Sequence, residues 1–487
     1  MSLQYDSFFI GGQWVAPQGS GTIKVVSAST EEPLGSVPEA IEADVDAAVD
    51  GARRAFDDPS GWAHWEPARR AEVMERLADA LDSRSEEMAR RVSSQNGMPV
   101  AISSQFEAGF PSVLLRYYAG LAREASFSEE RAGLMGGRTL VQRKPIGVVG
   151  AIVPWNFPQS LAFFKIAPAL AAGCAMVVKP SPETVLDTFL LAEAVEEAGV
   201  PAGVLNFVPG GRELGAYLVS HPRIDKVAFT GSTAAGRSIA ETCGRLLRPV
   251  TLELGGKSAS IVLDDADLSQ SMEQLFSATL LNNGQTCFVG TRILAPKNRY
   301  DEIVQIFSAL AGGVSVGDAL DPATQIGPMA SSAQRDRVEG YIAKGVSEGG
   351  KIAAGGKRPE QFDHGWFVSP TVFAGLDNNA TIAQEEIFGP VLTVIPYEND
   401  DDAVRIANDS DFGLGGSVWT SDPARGRNVA ARVRTGSIGI NAYLPDPTAP
   451  FGGVKASGMG RELGPEGLAA YQELQSIYLD PSEVSAP

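Results

Sequence analysis

Histidine and cysteine are the scarce residues of this chain, three of each in 487. His64, His221 and His364 stand too far apart for the close His/Cys spacings of a zinc site, so no metal is expected. Cys174, Cys243 and Cys287 are odd in number, widely spaced and form no CxxC pair. That excludes a disulfide framework and suits a reducing compartment. So few histidines also speak against a Ser-His or Cys-His triad. Basic charge is short as well: 40 Lys and Arg against 59 Asp and Glu leave a formal net charge of -19. This argues against nucleic acid or an anionic membrane as partner. The longest uncharged apolar stretch, 166–178, is interrupted by Pro168 and Gly173 and is too short to span a bilayer. Met1-Ser2-Leu3-Gln4-Tyr5-Asp6 offers neither a basic leader nor an apolar core, so a soluble, cytoplasmic protein is expected. The dinucleotide fingerprint GxGxxG follows no predicted strand.

What is present is the composition of a globular protein, 44% hydrophobic and 20% charged. At roughly 150 residues per domain the length suggests two to four domains. Pro67 opens an amphipathic helix read over 67–92, with Val73, Leu77 and Leu81 four apart. From 146 onward, short apolar runs alternate with helical ones, the pattern of parallel α/β units. Strands are expected at 147–153, 174–178, 204–208 and 226–230, with helices at 160–172, 185–198 and 212–220. The short connections predict a doubly wound sheet. A second set follows residue 255: strand 258–263, helix 268–281, strand 291–295 and helix 300–311. Segment 345–359 reads as a surface excursion and 398–402 as an exposed acidic turn. Two further stretches, 139–143 and 477–479, have strand character outside these units. Unpaired edges tend to be covered, and a partner subunit is one candidate.

Several segments carry candidate chemistry. Cys287 closes Asn282-Asn283-Gly284-Gln285-Thr286-Cys287, and Glu253 lies in Leu252-Glu253-Leu254-Gly255-Gly256-Lys257. A soft nucleophile and a carboxylate base, each beside glycine, are the parts that a thioester mechanism needs. The plainer alternatives are a buried cysteine and a strand ending in a turn. Gly231-Ser232-Thr233-Ala234-Ala235-Gly236-Arg237-Ser238 follows a strand and opens a helix, a place for an anion or for a tight turn. It nearly spells a P-loop, but Arg237 stands where the phosphate-binding lysine belongs. Lys179 ends a strand, where open α/β sheets bind ligands and where a lysine can also snorkel outward. Pro154-Trp155-Asn156-Phe157-Pro158 ends another, and its asparagine amide is rigid enough to donate to an oxyanion, unless the segment is only a packed turn.

With these segments in order, the chain closely resembles the aldehyde dehydrogenase superfamily, in its hydrolytic, non-acylating branch. The likeness runs from Phe8 to Leu479. It is carried by Pro154 to Pro158, Phe229-Thr230-Gly231-Ser232-Thr233, Glu253 to Ser258, Gly284 to Cys287, Glu386-Ile387-Phe388-Gly389-Pro390 and Pro450-Phe451-Gly452-Gly453-Val454-Lys455.

The resemblance implies Cys287 as nucleophile, Asn156 and the Cys287 amide as oxyanion donors, and Glu253 as the group that activates water. Lys165 and Glu462 match positions linked to proton exit, against the alternative of an ion pair or surface charges. Gly231 and Ser232 match the phosphate contacts, Trp155 and Lys179 the adenosine side, and Glu386 and Phe388 the nicotinamide ribose and ring. Phe157, Phe164 and Phe451 match the aldehyde tunnel, or else belong to the core. NAD is the expected cofactor. NADP is allowed, because Pro182 stands where many NAD-preferring relatives place glutamate, with Glu183 one residue late.

The implied architecture is an α/β aldehyde dehydrogenase fold. It has a Rossmann-like NAD-binding domain (1–124 and 146–255), an α/β catalytic domain (256–456) and a small β oligomerisation element (125–145 and 457–487). A homodimer or homotetramer follows. The loop from Leu444 to Pro450 has no arginine to hold an acidic substrate, so an apolar or aromatic aldehyde is preferred over a semialdehyde. A CoA-acylating relative, a P-loop nucleotide hydrolase and a non-catalytic protein of the same fold are the competing readings.

Overall fold

The computed structural model describes residues 2–479. The part of the expected C-terminal segment at 480–487 lies outside the described residues. Two sheets organise the chain. The first has the strand order Leu205–Phe207, Ala175–Lys179, Val148–Ile152, Lys226–Thr230, Val250–Glu253, Gly458–Met459. All pairs are parallel except the last. From Val148–Ile152 the chain winds outward to one side through Ala175–Lys179 and then to the other through Lys226–Thr230. The adjacent C-terminal ends of Val148–Ile152 and Lys226–Thr230 therefore form a switch point, where helices diverge and leave a crevice for ligand.

The second sheet has the order Lys351–Ala354, Thr371–Ala374, Val391–Tyr397, Arg292–Pro296, Ala259–Val262, Gly416–Trp419, Gly439–Ile440, antiparallel only at its first pair. Central strands such as Ala259–Val262 and Arg292–Pro296 are buried on both faces, which is why they read as continuous apolar runs. Helix Pro158–Ala172 is buried along its whole length and packs in the largest apolar core.

A third sheet is antiparallel and joins Gln472–Leu479, Arg138–Pro145 and Ser128–Ala132. The two stretches expected to need a cover thus cover each other, with Leu140 opposite Ile477 and Thr139 opposite Tyr478. Apolar side chains still stand in solvent there: Leu474 and Tyr478 on the strand, and Leu134 and Met135 at the hairpin tip. Among the described residues no helix is long and apolar enough to cross a membrane.

Four expected elements differ. The helix read over 67–92 is two, Pro67–Asp82 and Ser85–Asn96. Ser83 Oγ donates back to the Ala80 carbonyl and competes with the helical ladder at the break. The helix read over 268–281 is only Met272–Thr279, starting after Ser271 and kept from running on into the cysteine loop by the left-handed angles of Asn282 and Asn283. The excursion at 345–359 contains an edge strand, Lys351–Ala354, whose order comes from pairing with Thr371–Ala374. The acidic turn is the start of helix Asp400–Asn408, capped by Asn399, with three aspartates in the first turn complementing the helix dipole.

Candidate active site

The loop that carries Cys287 is a left-handed turn held by side chains. Asn282 (φ 50°), Asn283 (φ 60°) and Gly284 (φ 71°) are successive left-handed residues. Asparagine tolerates this region better than other side chains do, and glycine pays nothing for it. Asn283 Nδ2 donates to the carbonyls of Gly97 (2.8 Å) and Pro328 (2.9 Å), while its Oδ1 accepts from Gly327 N at 2.7 Å. Asn282 Nδ2 donates to the Asn156 carbonyl at 2.9 Å. Asn156 Nδ2 in turn donates to the Gln285 carbonyl at 2.9 Å. The two motifs brace each other, and one N–H of the Asn156 amide remains for another acceptor.

Glycines set how closely the surrounding segments approach. A Cβ at Gly256 would stand 2.2 Å from the Cys287 carbonyl oxygen, and one at Gly452 would stand 2.5 Å from Glu253 Oε1. Cys287 is half-buried. Burial, followed by the charges of Glu386 and Glu253, pushes its thiol well above the ordinary thiol range. Glu253 is buried, and neither of its carboxylate oxygens has a hydrogen-bond partner among the described residues. Burial first, then the charge of Glu462, raises its pKa, with Lys165 opposing.

Two hollows meet at Cys287. One is a cleft of about 300 Å³ at the switch point of the first sheet, lined by Trp155, Asn156, Thr230, Gly231, Ser232, Cys287, Gln334, Arg337, Glu386 and Phe388, among others. The other is mainly apolar, lined by Phe106, Phe110, Phe157, Leu161, Phe164, Leu281, Phe288, Pro445 and Phe451 together with Asn156, Ser160, Thr286 and Cys287. A larger open hollow, about 630 Å³ between Asp264, Lys297, Tyr397 and Arg425, is a separate surface feature whose charges pair with one another.

The sequence-predicted residues fall into place unevenly. Glu386 accepts from Gly256 N at 2.9 Å, and burial raises its pKa to about 7. Phe388 has φ 63° and meets the Trp155 ring edge-on at 5.3 Å. Ser232 caps helix Thr233–Arg245, accepting from Ala235 N at 3.3 Å, so the helix start faces the cleft with its first amides. Arg237 is exposed and outside the cleft lining, unlike a P-loop lysine.

Lys179 is buried outside the cleft lining. Its ammonium donates to the carbonyls of Pro180 (2.9 Å) and Gly210 (2.7 Å), and burial lowers its pKa to about 8. Lys165 and Glu462 line neither hollow and are not surface charges. They form a buried pair at 2.8 Å, and Lys165 also donates to Thr230 Oγ1, on the cleft wall, at 2.7 Å.

Phe157, Phe164 and Phe451 all line the apolar hollow, and Phe164 meets Phe451 edge-on at 6.0 Å. The sequence reading missed Gln334 and Arg337 in the cleft and Phe106, Phe110 and Phe288 in the apolar hollow. The four-residue spacing of Phe106 and Phe110 was the one available signal. Among the described residues no group of three or more His, Cys, Asp or Glu is placed to hold a metal.

The crevice fits a dinucleotide. It lies at the switch point, one edge is a helix start with its amides forward, and a carboxylate reaches the far wall. With this crevice between its two α/β layers, the chain is of the NAD(P)-dependent oxidoreductase class. The chain belongs to the aldehyde dehydrogenase family, whose profile matches residues 14–477. The general reaction of that family is oxidation of an aldehyde to a carboxylic acid with NAD(P).

Among relatives, geranial dehydrogenase of Castellaniella defragrans is 57% identical, over 98% of this chain and 100% of that one. An aldehyde dehydrogenase of Mycobacterium tuberculosis, solved with NAD+, superposes with a TM-score of 0.97 at 47% identity, over all of both chains. Aldehyde dehydrogenase C of Pseudomonas syringae, solved as a mutant with NAD+ and octanal, gives 0.93 at 39% identity, over 97% of this chain and 96% of that one.

Proposed function

We propose that this protein oxidises an apolar aldehyde to its acid with NAD, using Cys287 as nucleophile and Glu253 as the base of hydrolysis. The observation that carries the proposal is that Cys287 and Asn156 line both hollows. An aldehyde entering through the apolar hollow and a dinucleotide in the cleft therefore meet at one sulfur. Cys287 gives its thiol proton to Glu253, which passes it on toward Lys165 and Glu462, and Sγ attacks the carbonyl carbon. The free N–H of Asn156 Nδ2, with the Cys287 amide, receives the oxygen as it gains charge. Bound in the cleft, NAD supplies the acceptor for the hydride that leaves the thiohemiacetal. The acyl group then remains on Cys287 as a thioester, and Glu253 takes a proton from the water that cleaves it. A carboxylate whose pKa is raised by burial is a stronger base for that task than one in water. Lys165, paired to Glu462 and bonded to Thr230, gives the proton a buried route away from Glu253.

In the cleft, Gly231, Ser232 and the first amides of their helix would hold the pyrophosphate, with Trp155 on the adenosine side; Lys179 stands behind the lining, where its ammonium already donates to the Pro180 and Gly210 carbonyls and keeps one N–H for a ribose hydroxyl. Glu386 and Phe388 would hold the nicotinamide end. Pro182 leaves NADP admissible. The apolar lining, with no charged side chain in the Leu444 to Pro450 loop except Asp446, supports an aldehyde without acidic groups. Geranial and octanal in the relatives' names are of that kind. The division into 1–124 plus 146–255, 256–456, and 125–145 plus 457–487 is supported by the separate sheets, although Gly458–Met459 pairs with the first of them. Homo-oligomerisation through the exposed apolar side chains of the third sheet, and a cytoplasmic location, complete the proposal.

The test is an aldehyde panel read by NADH absorbance, with and without CoA, beside Cys287→Ala and Glu253→Gln. Cys287→Ala is expected to be inactive, and Glu253→Gln to give one burst and stall as acyl-enzyme. Normal turnover by Glu253→Gln would remove Glu253 from the hydrolytic step.

A further inference from the structure

Behind the apolar hollow lie two buried carboxyl groups that no step above uses. The helical run from Val100 to Glu124 is interrupted by a π-turn at Ser104–Gly109. Turns of this kind are uncommon and concentrate at functional sites. This one carries Phe106 at the hollow and, next to it, Glu107 in the interior at 0% exposure. Glu107 Oε2 accepts from Gln159 N, in the first turn of helix Pro158–Ala172, at 2.7 Å. Ser160 Oγ donates to the Phe106 carbonyl at 2.6 Å. The Gln159 side chain donates to Asp187, as does Gln95 Nε2 at 3.0 Å.

Donors and acceptors in this cluster do not balance. Glu107 Oε1 and Gln159 Oε1 are both buried acceptors without a partner, and each such orphan is costly. One additional proton on Glu107 turns an acceptor into a donor. Burial, with the nearby charge of Asp187, raises the Glu107 pKa to about 8 against the opposing backbone N–H of Gln159, so the proton is present at neutral pH.

We propose that Glu107 is a positioning residue for aldehyde selectivity: it clamps the π-turn to the start of helix Pro158–Ala172 and so fixes how two walls of the hollow meet. Phe106 and Phe110 belong to the wall on the π-turn side and Phe157, Leu161 and Phe164 to the wall on the helix side, and the two meet ring against ring, Phe106 with Phe157 at 5.9 Å and Phe110 with Phe164 at 6.1 Å. This rests on the reading that the apolar hollow receives the aldehyde. A two-carbon aldehyde at Cys287 leaves most of both walls untouched, whereas a long apolar chain must touch both. Loosening the clamp therefore penalises long substrates selectively.

The experiment compares octanal with acetaldehyde at saturating NAD for the full chain and its Glu107→Ala and Glu107→Gln variants. Glu107→Ala should lower kcat/KM for octanal relative to acetaldehyde by about 30-fold, mainly through KM, a size typical of a disturbed apolar pocket. Glu107→Gln keeps a neutral donor and acceptor and should restore the ratio to within about threefold. Equal losses for both aldehydes would reduce Glu107 to a structural part. A Glu107→Gln as damaged as Glu107→Ala would mean that the ionised carboxylate matters, and either result overturns the proposal. Should Glu107→Ala fail to fold, Ser160→Ala cuts the tether to the Phe106 carbonyl and removes one hydroxyl from the lining of the hollow, a change that by itself would favour the longer aldehyde. It should show a smaller loss of the same selectivity, and an unchanged ratio would again overturn the proposal. A wild-type protein that oxidises acetaldehyde but not octanal would instead defeat the underlying reading of the hollow.

Discussion

On the cleft side of Cys287 the wall combines groups that hydrogen-bond, Thr230, Ser232, Gln334, Arg337 and Glu386, with the rings of Trp155 and Phe388; on the other side it is mostly rings, those of Phe106, Phe110, Phe157, Phe164, Phe288 and Phe451. The cleft can select by direction, since each polar group rewards one geometry and penalises a missing partner. The apolar side can select only by shape and area, at about 25 cal/mol per Å² buried, so it discriminates gradually among aldehydes. The two sides also differ in what holds them. Left-handed residues and bare glycines fix the cleft at its junction with Cys287, whereas aromatic contacts and one buried polar cluster fix the hollow.

Breaking the junction should have the largest effect. Gly256→Ala would force a Cβ to 2.2 Å from the Cys287 carbonyl oxygen, and the loop must move. A displacement on the order of 1 Å at a nucleophile costs about a hundredfold, so kcat/KM should fall at least that far with every aldehyde and either cofactor. Activity within a few-fold of wild type would mean that the junction yields cheaply.

Next, Phe164→Ala should separate the two sides. It removes about 2 kcal/mol of apolar contact, so kcat/KM for octanal should drop about 30-fold through KM while the KM for NAD stays put. A matching rise in the NAD KM would show the hollows to be coupled. Conversely, Glu386→Gln removes a charged acceptor on the cleft side, and the NAD KM should rise about tenfold with little change in the preference between octanal and acetaldehyde.

The smallest effect concerns pH. With the thiol raised by burial and by Glu386 and Glu253, less thiolate is present at neutral pH than in a free thiol of pKa about 8.5. Alkylation of Cys287 by iodoacetamide without cofactor should keep rising through pH 9 without a plateau. Glu386→Gln removes one opposing charge and should move the profile to lower pH. A plateau near pH 8 in the wild type would contradict this electrostatic reading.

Legibility followed sequence distance. Many strands and helices of the two main sheets could be read locally, because buried parallel strands are short apolar runs and helices Arg212–Ser220, by the first sheet, and Tyr300–Gly313, by the second, carry their own periodicity. Strand Lys351–Ala354 could not, since its order comes from its neighbour. The motif residues of the site were visible as positions. The lining at Gln334, Arg337, Phe106 and Phe288 was not, because each lies in a segment whose local pattern is ordinary and which reaches the site only through packing.

The sequence by itself determined the family and singled out Cys287 and Glu253 as candidate nucleophile and base, because these depend on residue type and local spacing. Only the tertiary structure decided that Lys179 spends its charge on two carbonyls, that Lys165 and Glu462 are a buried pair, and that Glu107 is buried next to Phe106 of the apolar hollow. The physical reason is that burial and long-range pairing set the state of a polar group, and neither is encoded in its neighbours along the chain.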